Sequence, residues 1–252
     1  LRGSQIGMVF QDPNESLNPV FTIGKQLEFA IRAHSRLDRR AVRARALELL
    51  DMVSVPRPLE RIRQFPHELS GGLRQRVMIA IALASTPTLL IADEPTTALD
   101  VSVQAEILEL LESLARENGL STLLITHDLG VVVGQCSRIL TMYSGQVVES
   151  GSTHGFRTDP AHPYSRALLD CIPTLSQLGT IRPGIPGVPT PPDKYDAGCR
   201  FRQRCPLAEA RCAEPQTLGP VASADAGPRL ARCWKAAGPD LVLEATSTGA
   251  SS

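Results

Sequence analysis

Residues 69–76 read Leu-Ser-Gly-Gly-Leu-Arg-Gln-Arg, and residues 89–95 read Leu-Leu-Ile-Ala-Asp-Glu-Pro. The first stretch places a Gly-rich turn at the start of a helix, where unpaired backbone N–H groups and the helix dipole favour a phosphate. The second is an apolar strand that ends in two adjacent carboxylates, at the edge of the sheet where parallel α/β proteins bind their ligands. Together they indicate a helix start that binds a nucleotide phosphate and a strand end that binds Mg²⁺ and positions an attacking water.

The composition is that of an α/β protein without a strong charge bias. The chain has 252 residues, 42% of them hydrophobic and 4% aromatic, and its 26 basic residues balance 26 acidic ones. That length allows one large domain or a domain with an appendage. The charge balance gives no global attraction to nucleic acid. The longest apolar run, residues 77–84, is far shorter than the roughly 18 residues of a membrane-spanning helix. We expect a soluble chain that reaches a membrane only through a partner.

Strand and helix patterns alternate along the first part of the chain. Helical patterns cover residues 23–59 and run from Ser70 to about Ser85. Apolar runs predict strands, the last three of them buried, at residues 7–10, 89–92, 122–126 and 139–143. This alternation predicts an α/β fold with a mainly parallel sheet.

The composition changes after Gly151. A single helix is expected over residues 154–171, and a Pro- and Gly-rich linker follows over residues 173–192. We predict a partial nucleotide-binding domain over 1–151, with a helical subdomain at about 23–85. A C-terminal extension with clustered cysteines occupies 152–240, and a disordered tail 241–252.

Three further motifs make the sequence similar to the ATP-binding subunits of ABC transporters. Gln11 follows the first strand, Ala98-Leu99-Asp100 follows the acidic strand end, and His127 follows the next strand. With the two opening stretches, five motifs stand in the order of that family. The resemblance implies an ABC-type P-loop NTPase core with a helical subdomain, and an ATPase that uses ATP and Mg²⁺.

The resemblance assigns four residues to the nucleotide bound by this subunit. Asp93 would hold Mg²⁺ through a water, and Gln11 would reach the same Mg²⁺ and water region. Glu94 would act as general base on the attacking water, and His127 would hydrogen-bond the γ-phosphate and orient that water.

The remaining motifs are assigned to the nucleotide of a second subunit. In this family two ATPase subunits assemble head to tail, and each signature motif touches the ATP held by the other. Ser70, Gly71 and Gly72 would therefore serve the partner's ATP, with Gln75 close by. Asp100 would lie in the loop that contacts the opposite subunit.

One motif of the family is absent. No G-x-x-x-x-G-K-[ST] phosphate loop occurs in the 252 residues, and the Gly24-Lys25 pair is followed by Gln26 and has Pro19 at the position of the first glycine. The lysine and backbone N–H groups of that loop cradle the β- and γ-phosphates. We therefore interpret the chain as an N-terminally truncated subunit that by itself binds ATP weakly and does not hydrolyse it.

Other motifs resemble the peptide importer branch of the family. They include Phe10-Gln11-Asp12-Pro13, His162-Pro163-Tyr164 and the cysteine segment that begins at Gly198. The resemblance implies import of peptides through membrane permease subunits and, indirectly, an extracytoplasmic peptide-binding protein. It implies a second ATPase subunit, identical or not, and a peripheral location on the cytoplasmic face of the inner or plasma membrane.

Three other functions stay open. Nickel importers share the features of the peptide importer branch. A soluble ABC ATPase of DNA repair or translation would show long coiled-coil insertions or two cassettes in one chain, neither of which is visible. A non-hydrolysing fragment could supply only its signature motif to a partner cassette.

Four cysteines fall in the C-terminal segment with the spacing C-x₅-C-x₆-C-x₂₀-C, namely Cys199, Cys205, Cys212 and Cys233. Clustered thiols in a chain of this kind more often bind metal than form disulfides. The spacing leaves both Zn²⁺ and a [4Fe–4S] cluster open. Relatives in the peptide importer branch bind a cluster through similar cysteines, so the resemblance favours iron–sulfur, with zinc as the alternative. Cys136 and Cys171 are expected to be buried or incidental thiols.

Overall fold

A computed structural model describes residues 3–97, 99–172, 184–222 and 227–236. Ala98, most of the predicted linker (residues 173–183) and the predicted tail (241–252) therefore lie outside the described residues. The chain divides into two compact units, the first ending at His127 and the second beginning at Asp128. This division precedes residue 151, where the sequence predicts the domain boundary. The strands on either side of residues 144–145 pair with each other, and the second of them also pairs with residues 230–231. Both strands therefore belong to the second unit, which begins before residue 151.

The first unit combines helices with a parallel sheet, as predicted. Its strands are β1 (Ile6–Val9), β2 (Leu89–Asp93) and β3 (Ser121–Ile125), paired in the order β1-β2-β3. Its helices are α1 (Pro13–Ser16), α2 (Ile23–His34), α3 (Arg39–Met52), α4 (Pro58–Arg61), α5 (Gly71–Ala82) and α6 (Val101–Asn118). In the register, Val9 lies opposite Ala92 and Asp93 lies opposite Ile125.

Local sequence explains where these helices begin and end. Oxygen-bearing side chains cap the N-termini of α2, α3, α5 and α6 at Thr22, Asp38, Ser70 and Asp100. Such caps satisfy backbone N–H groups that have no intrahelical partner. The predicted helical region 23–59 is divided into separate helices at these caps and at Pro58. Gly119 ends α6 with φ 62°, a left-handed conformation that glycine adopts without steric cost.

The core of this unit is formed by α2, α3 and α5 together with the sheet. Fully buried side chains include Ile23, Leu27, Leu49, Ile79 and Leu90. Burial of each aliphatic side chain of this size contributes about 1.5–3 kcal/mol. No described helix of the chain has both the length and the apolar character to cross a bilayer.

The prediction that residues 122–126 form a buried strand is wrong in part. The strand exists as β3, but Leu123 and Ile125 are 43% and 45% exposed. In the described sheet, β3 stands at one edge and pairs with β2 on one side. An apolar run therefore predicted the strand correctly but not its burial.

The second unit is built on an antiparallel sheet. Its strands are β4 (Arg138–Tyr143), β5 (Gln146–Ser152), β6 (Gly219–Pro220) and β7 (Leu230–Ala231), in the order β4-β5-β7-β6. Its helices are α7 (Leu129–Gln135), α8 (Thr153–Thr158) and α9 (Pro163–Asp170). A tight turn joins β4 to β5, with Ser144 and Gly145 both at positive φ, as tight hairpins require.

Two expectations for this unit are wrong. Alternate residues of β4 are buried, rather than all of them, because an antiparallel sheet commonly packs only one face on its core. The single helix expected over residues 154–171 is two helices, α8 and α9. Pro163 occupies the first turn of α9 and His162 caps it, so a new helix starts there instead of continuing α8.

Candidate functional site

Glu94 and His127 meet just past the carboxyl ends of β2 and β3. The imidazole Nδ1 of His127 lies 2.7 Å from Glu94 Oε1, and the His127 backbone N–H donates to the same oxygen at 3.0 Å. The hydroxyl of Thr97 donates to Glu94 Oε2 at 2.9 Å. Parallel neighbouring strands bring their carboxyl ends to one edge, which is why residues 33 positions apart become partners.

The backbone of Glu94 is held in a conformation that glutamate rarely adopts. Its φ is 46°, in the left-handed region, which costs a non-glycine residue about 1–3 kcal/mol at such sites. The Glu94 N–H donates to Ile125 O at 2.9 Å, and the Thr97 N–H donates to Glu94 O at 3.1 Å. These bonds hold the strained turn, and strain of this kind concentrates at functional sites.

The surroundings of Glu94 keep its carboxylate ionised. Burial raises the pKa of Glu94, but the hydrogen bonds from His127 and Thr97 and the charge of His127 outweigh it, so that the pKa lies below its ordinary value. The imidazole of His127 is 82% exposed and is accessible to a bound group. An ionised carboxylate that shares a hydrogen bond with an accessible histidine can accept a proton from water.

A cleft of about 750 Å³ is lined by Thr97, which bonds Glu94, whereas Glu94 and His127 do not line it themselves. Gln11 follows β1, Asp93 ends β2, and both line the cleft together with Gly71 and Leu99. Carboxylate and amide oxygens are ligands that suit Mg²⁺, and the volume lies within the range of ligand sites. The structure thus brings residues predicted for Mg²⁺ and a residue predicted for phosphate to one cleft.

The two signature glycines have different surroundings. A Cβ on Gly72 would lie 2.6 Å from Val103 Cγ1, because the start of α6 packs against the start of α5. A Cβ on Gly71 would meet Leu99 Cδ2 at 3.4 Å, an ordinary contact. The packing at Gly72 therefore leaves no room for a side chain, whereas the backbone of Gly71 is exposed to the cleft.

Replacing Gly72 with alanine should lower the free energy of unfolding by about 1–3 kcal/mol, because the extra methyl overpacks the contact with Val103. Gly71→Ala is the matched control and should change it by about 0.5 kcal/mol or less. Urea unfolding of both variants measures the difference. Equal stabilities would contradict the assignment of Gly72 to packing.

Of three other predicted residues, two cap helices and the third is buried. Ser70 Oγ accepts from Leu73 N at 3.4 Å and caps α5. Asp100 caps α6, and the hydrogen bonds from Ser102 and Val103 lower the pKa of its carboxyl. Gln75, expected near the partner's nucleotide, is 1% exposed. It lies one turn inside α5 on the side that faces the core, so the structure does not bring it to the cleft.

In the second unit, one cavity of about 20 Å³ is lined by all four clustered cysteines, Cys199, Cys205, Cys212 and Cys233. Burial is the main cause that raises the pKa of the Cys199, Cys205 and Cys233 thiols, and neighbouring cysteines raise it further. Among the described residues, no group of three or more His, Cys, Asp or Glu side chains is placed to hold a metal ion. The four cysteines predicted as metal ligands therefore share a cavity but are not arranged as a ligand set in this structure.

The cavity has donors and positive charges around it. Trp234 Nε1 donates to Cys212 Sγ at 3.4 Å, and the cationic side chains that line the cavity are Arg202, Arg232 and Lys235. The other two cysteines, Cys136 and Cys171, are half-buried and do not line it. Hydrogen bonding and opposite charge partly offset the burial that disfavours thiolates in this cavity.

A buried polar network supports one wall of the cavity. Glu149 and Arg229, both buried, form an ion pair at 3.3 Å. The Glu149 carboxylate also accepts from the backbone N–H groups of Ala161 and His162, each at 2.9 Å. Sequence reasoning missed this network and Thr97, because each depends on partners that the fold brings together.

Comparison with known proteins agrees with this geometry. Residues 1–97 match a family model described as ABC transporter, and residues 148–212 match one described as Oligopeptide/dipeptide transporter, C-terminal region. A Brucella melitensis protein named as a peptide import ATP-binding protein is 50% identical, covering 92% of this chain and 69% of the relative. The dipeptide transport ATP-binding protein DppD of Escherichia coli is 47% identical, covering 88% and 68%.

Solved structures give the same assignment. The ATP-binding cassette MJ0796, solved as a dimer in a post-hydrolysis state with ADP and Pi, matches with a TM-score of 0.53 and 35% identity over 60% of this chain and 64% of that one. The cbiO1 protein of Clostridium perfringens, part of an ABC transporter complex, matches with a TM-score of 0.56 and 31% identity over 63% and 61%. The chain therefore belongs to the ATP-binding proteins of ABC transporters, among the relatives named for peptide import.

Proposed function

We propose that this chain is the ATP-binding and ATP-hydrolysing subunit that powers import of peptides through an ABC membrane permease. The observation that carries the proposal is the Glu94–His127 pair at the ends of adjacent parallel strands, beside the cleft lined by Gln11 and Asp93. The names of the relatives and the match to the oligopeptide/dipeptide C-terminal region support peptides as the cargo.

Each residue of the site has a chemical task in hydrolysis. Asp93 and Gln11 would hold Mg²⁺, which when bound would supply positive charge opposite the β- and γ-phosphates. Glu94 takes a proton from the water that attacks the γ-phosphorus, while the bond from that phosphorus to the β-γ bridging oxygen breaks. The exposed imidazole of His127 interacts with the γ-phosphate and keeps the water in line.

The signature motif of this chain serves a second subunit. The phosphate loop for the nucleotide held by Asp93 and Glu94 is not among the 252 residues, and it is a separate matter from that partner. The helix start at Ser70 and Gly71, with its N–H groups and open backbone, suits the phosphates of a nucleotide bound by a partner cassette. The paired cassettes associate peripherally with permease subunits on the cytoplasmic face of the membrane.

Uptake by cells that lack the gene tests the cargo. We expect loss of labelled peptide uptake, with uptake of radioactive nickel unchanged, and recovery of peptide uptake on expression of the complete wild-type gene. Complementation by Glu94→Gln should fail, whereas Glu109→Gln, an exposed glutamate on α6, should succeed. Selective loss of nickel uptake would contradict the peptide assignment and favour a nickel importer.

We further propose that the four cysteines hold a [4Fe–4S] cluster. Four cysteines line one cavity, and four thiolates are the usual ligand set of such a cluster. The resemblance to the peptide importer branch favours the cluster over zinc. The cationic residues on the wall, Arg202, Arg232 and Lys235, complement the negative charge of a thiolate-bound cluster.

Iron and acid-labile sulfide in the anaerobically purified chain test this proposal. We expect equal amounts of both, strongly reduced in Cys212→Ser. Cys136→Ser is the matched control, since Cys136 does not line the cavity, and it should keep the wild-type content. A full complement of zinc without iron would refute the cluster.

A further inference from the structure

The ring of His162 forms part of the wall of the cysteine cavity. The residue is 1% exposed, and it lines the cavity with the four cysteines. Its backbone N–H donates to Glu149 Oε2 at 2.9 Å, and its Nδ1 accepts from Tyr164 N at 3.0 Å. These two bonds fix His162 at the start of α9 whatever the cavity contains.

The bond at Nδ1 decides which ring nitrogen carries the proton. Because Nδ1 accepts a hydrogen bond, the neutral ring has its proton on Nε2. Burial lowers the pKa of His162 to about 4, so the ring is neutral at physiological pH. Nε2 has no hydrogen-bond partner among the described residues, and an unpaired buried donor costs about 1–3 kcal/mol. His162 thus combines a place in the lining of the cysteine cavity with a buried donor that an acceptor on a bound group would satisfy.

We propose that the Nε2–H group of His162 donates a hydrogen bond to a sulfur of the iron–sulfur cluster and thereby sets its reduction potential. This inference rests on the cluster proposed above for the four cysteines. Hydrogen bonds to cluster or thiolate sulfurs stabilise the reduced, more negatively charged state and so raise the reduction potential. His162 is then a donor to the cluster and not one of its ligands.

The variant His162→Asn separates this role from a structural one. Asparagine is a preferred N-cap residue and retains an acceptor for the Tyr164 N–H, but its shorter side chain places no donor at the position of Nε2. We expect wild-type iron and sulfide contents and a lower midpoint potential. The equilibrium constant for reduction should fall about tenfold, which is about 59 mV for a one-electron couple. A redox titration followed by electron paramagnetic resonance measures it, with His154→Asn on α8 as the control that leaves the potential unchanged.

A second measurement uses the wild-type chain and does not depend on the folding of a variant. Pulsed electron paramagnetic resonance of the reduced cluster, with isotopically labelled histidine, should show a weak coupling to a histidine nitrogen. An intact cluster with an unchanged potential in His162→Asn, or no histidine coupling in the wild type, would overturn the inference and leave the cluster in place. A wild-type chain without iron or sulfide would overturn both.

Discussion

Replacing Glu94 with glutamine should reduce ATP hydrolysis by the assembled transporter at least about 100-fold, the contribution typical of a general base. The amide keeps the size and most hydrogen bonds of the carboxylate but does not accept the proton of the attacking water. ATP binding should persist, since Glu94 takes part in proton transfer rather than in holding the phosphates. Phosphate release under saturating ATP measures the effect, with Glu109→Gln on the exposed side of α6 as the control.

The pH dependence adds a second test of the same residue. Because the pKa of Glu94 lies below its ordinary value, the carboxylate is fully ionised at neutral pH. Protonation of Glu94 should therefore lower the rate of ATP hydrolysis only at pH values below the ordinary pKa of a carboxyl group. A loss of rate on acidification near neutral pH must come from another group.

Turnover in Glu94→Gln close to that of the Glu109→Gln control would contradict the role of Glu94 as the base.

Replacing His127 with alanine should reduce hydrolysis about 10²–10³-fold, the effect of removing one preorganised group from the transition state. The variant loses the ring that bonds Glu94 at 2.7 Å but keeps the backbone N–H that donates to the same oxygen. Glu94 therefore stays in place through this bond and the Thr97 hydroxyl. The loss should appear in the maximal rate and not in the affinity for ATP.

A control distinguishes this effect from a general loss of structure. His154→Ala changes an exposed histidine of the second unit and should leave both the rate and the thermal stability unchanged. If His127→Ala hydrolyses ATP at the control rate, the imidazole has no part in catalysis, and its contact with Glu94 is only structural.

Local sequence predicted the elements that carry the site. The apolar run before Asp93 predicted β2, and Ser70 predicted a helix start, because strand burial and helix capping depend on neighbouring residues. The order of motifs predicted which residues stand at strand ends. The meeting of Glu94 with His127 then follows from the parallel pairing of β2 and β3.

Other features could not be read from local sequence. The positive φ of Glu94 and its bond to Thr97 depend on contacts with β3. Gln75 is polar, and only the packing of α5 shows that it is buried. His162 stood in a recognisable motif, yet its place in the lining of the cysteine cavity depends on residues about 40–70 positions further along the chain.

The central claim is that this chain supplies Glu94 and His127 to an ATP site whose phosphate cradle is not among these 252 residues. The most direct measurement is phosphate release from Mg-ATP by the purified 252-residue chain alone and by the assembled transporter. We predict no release above background from the chain alone, and peptide-stimulated release from the assembly. Robust hydrolysis by the isolated chain that disappears in Glu94→Gln would contradict the claim.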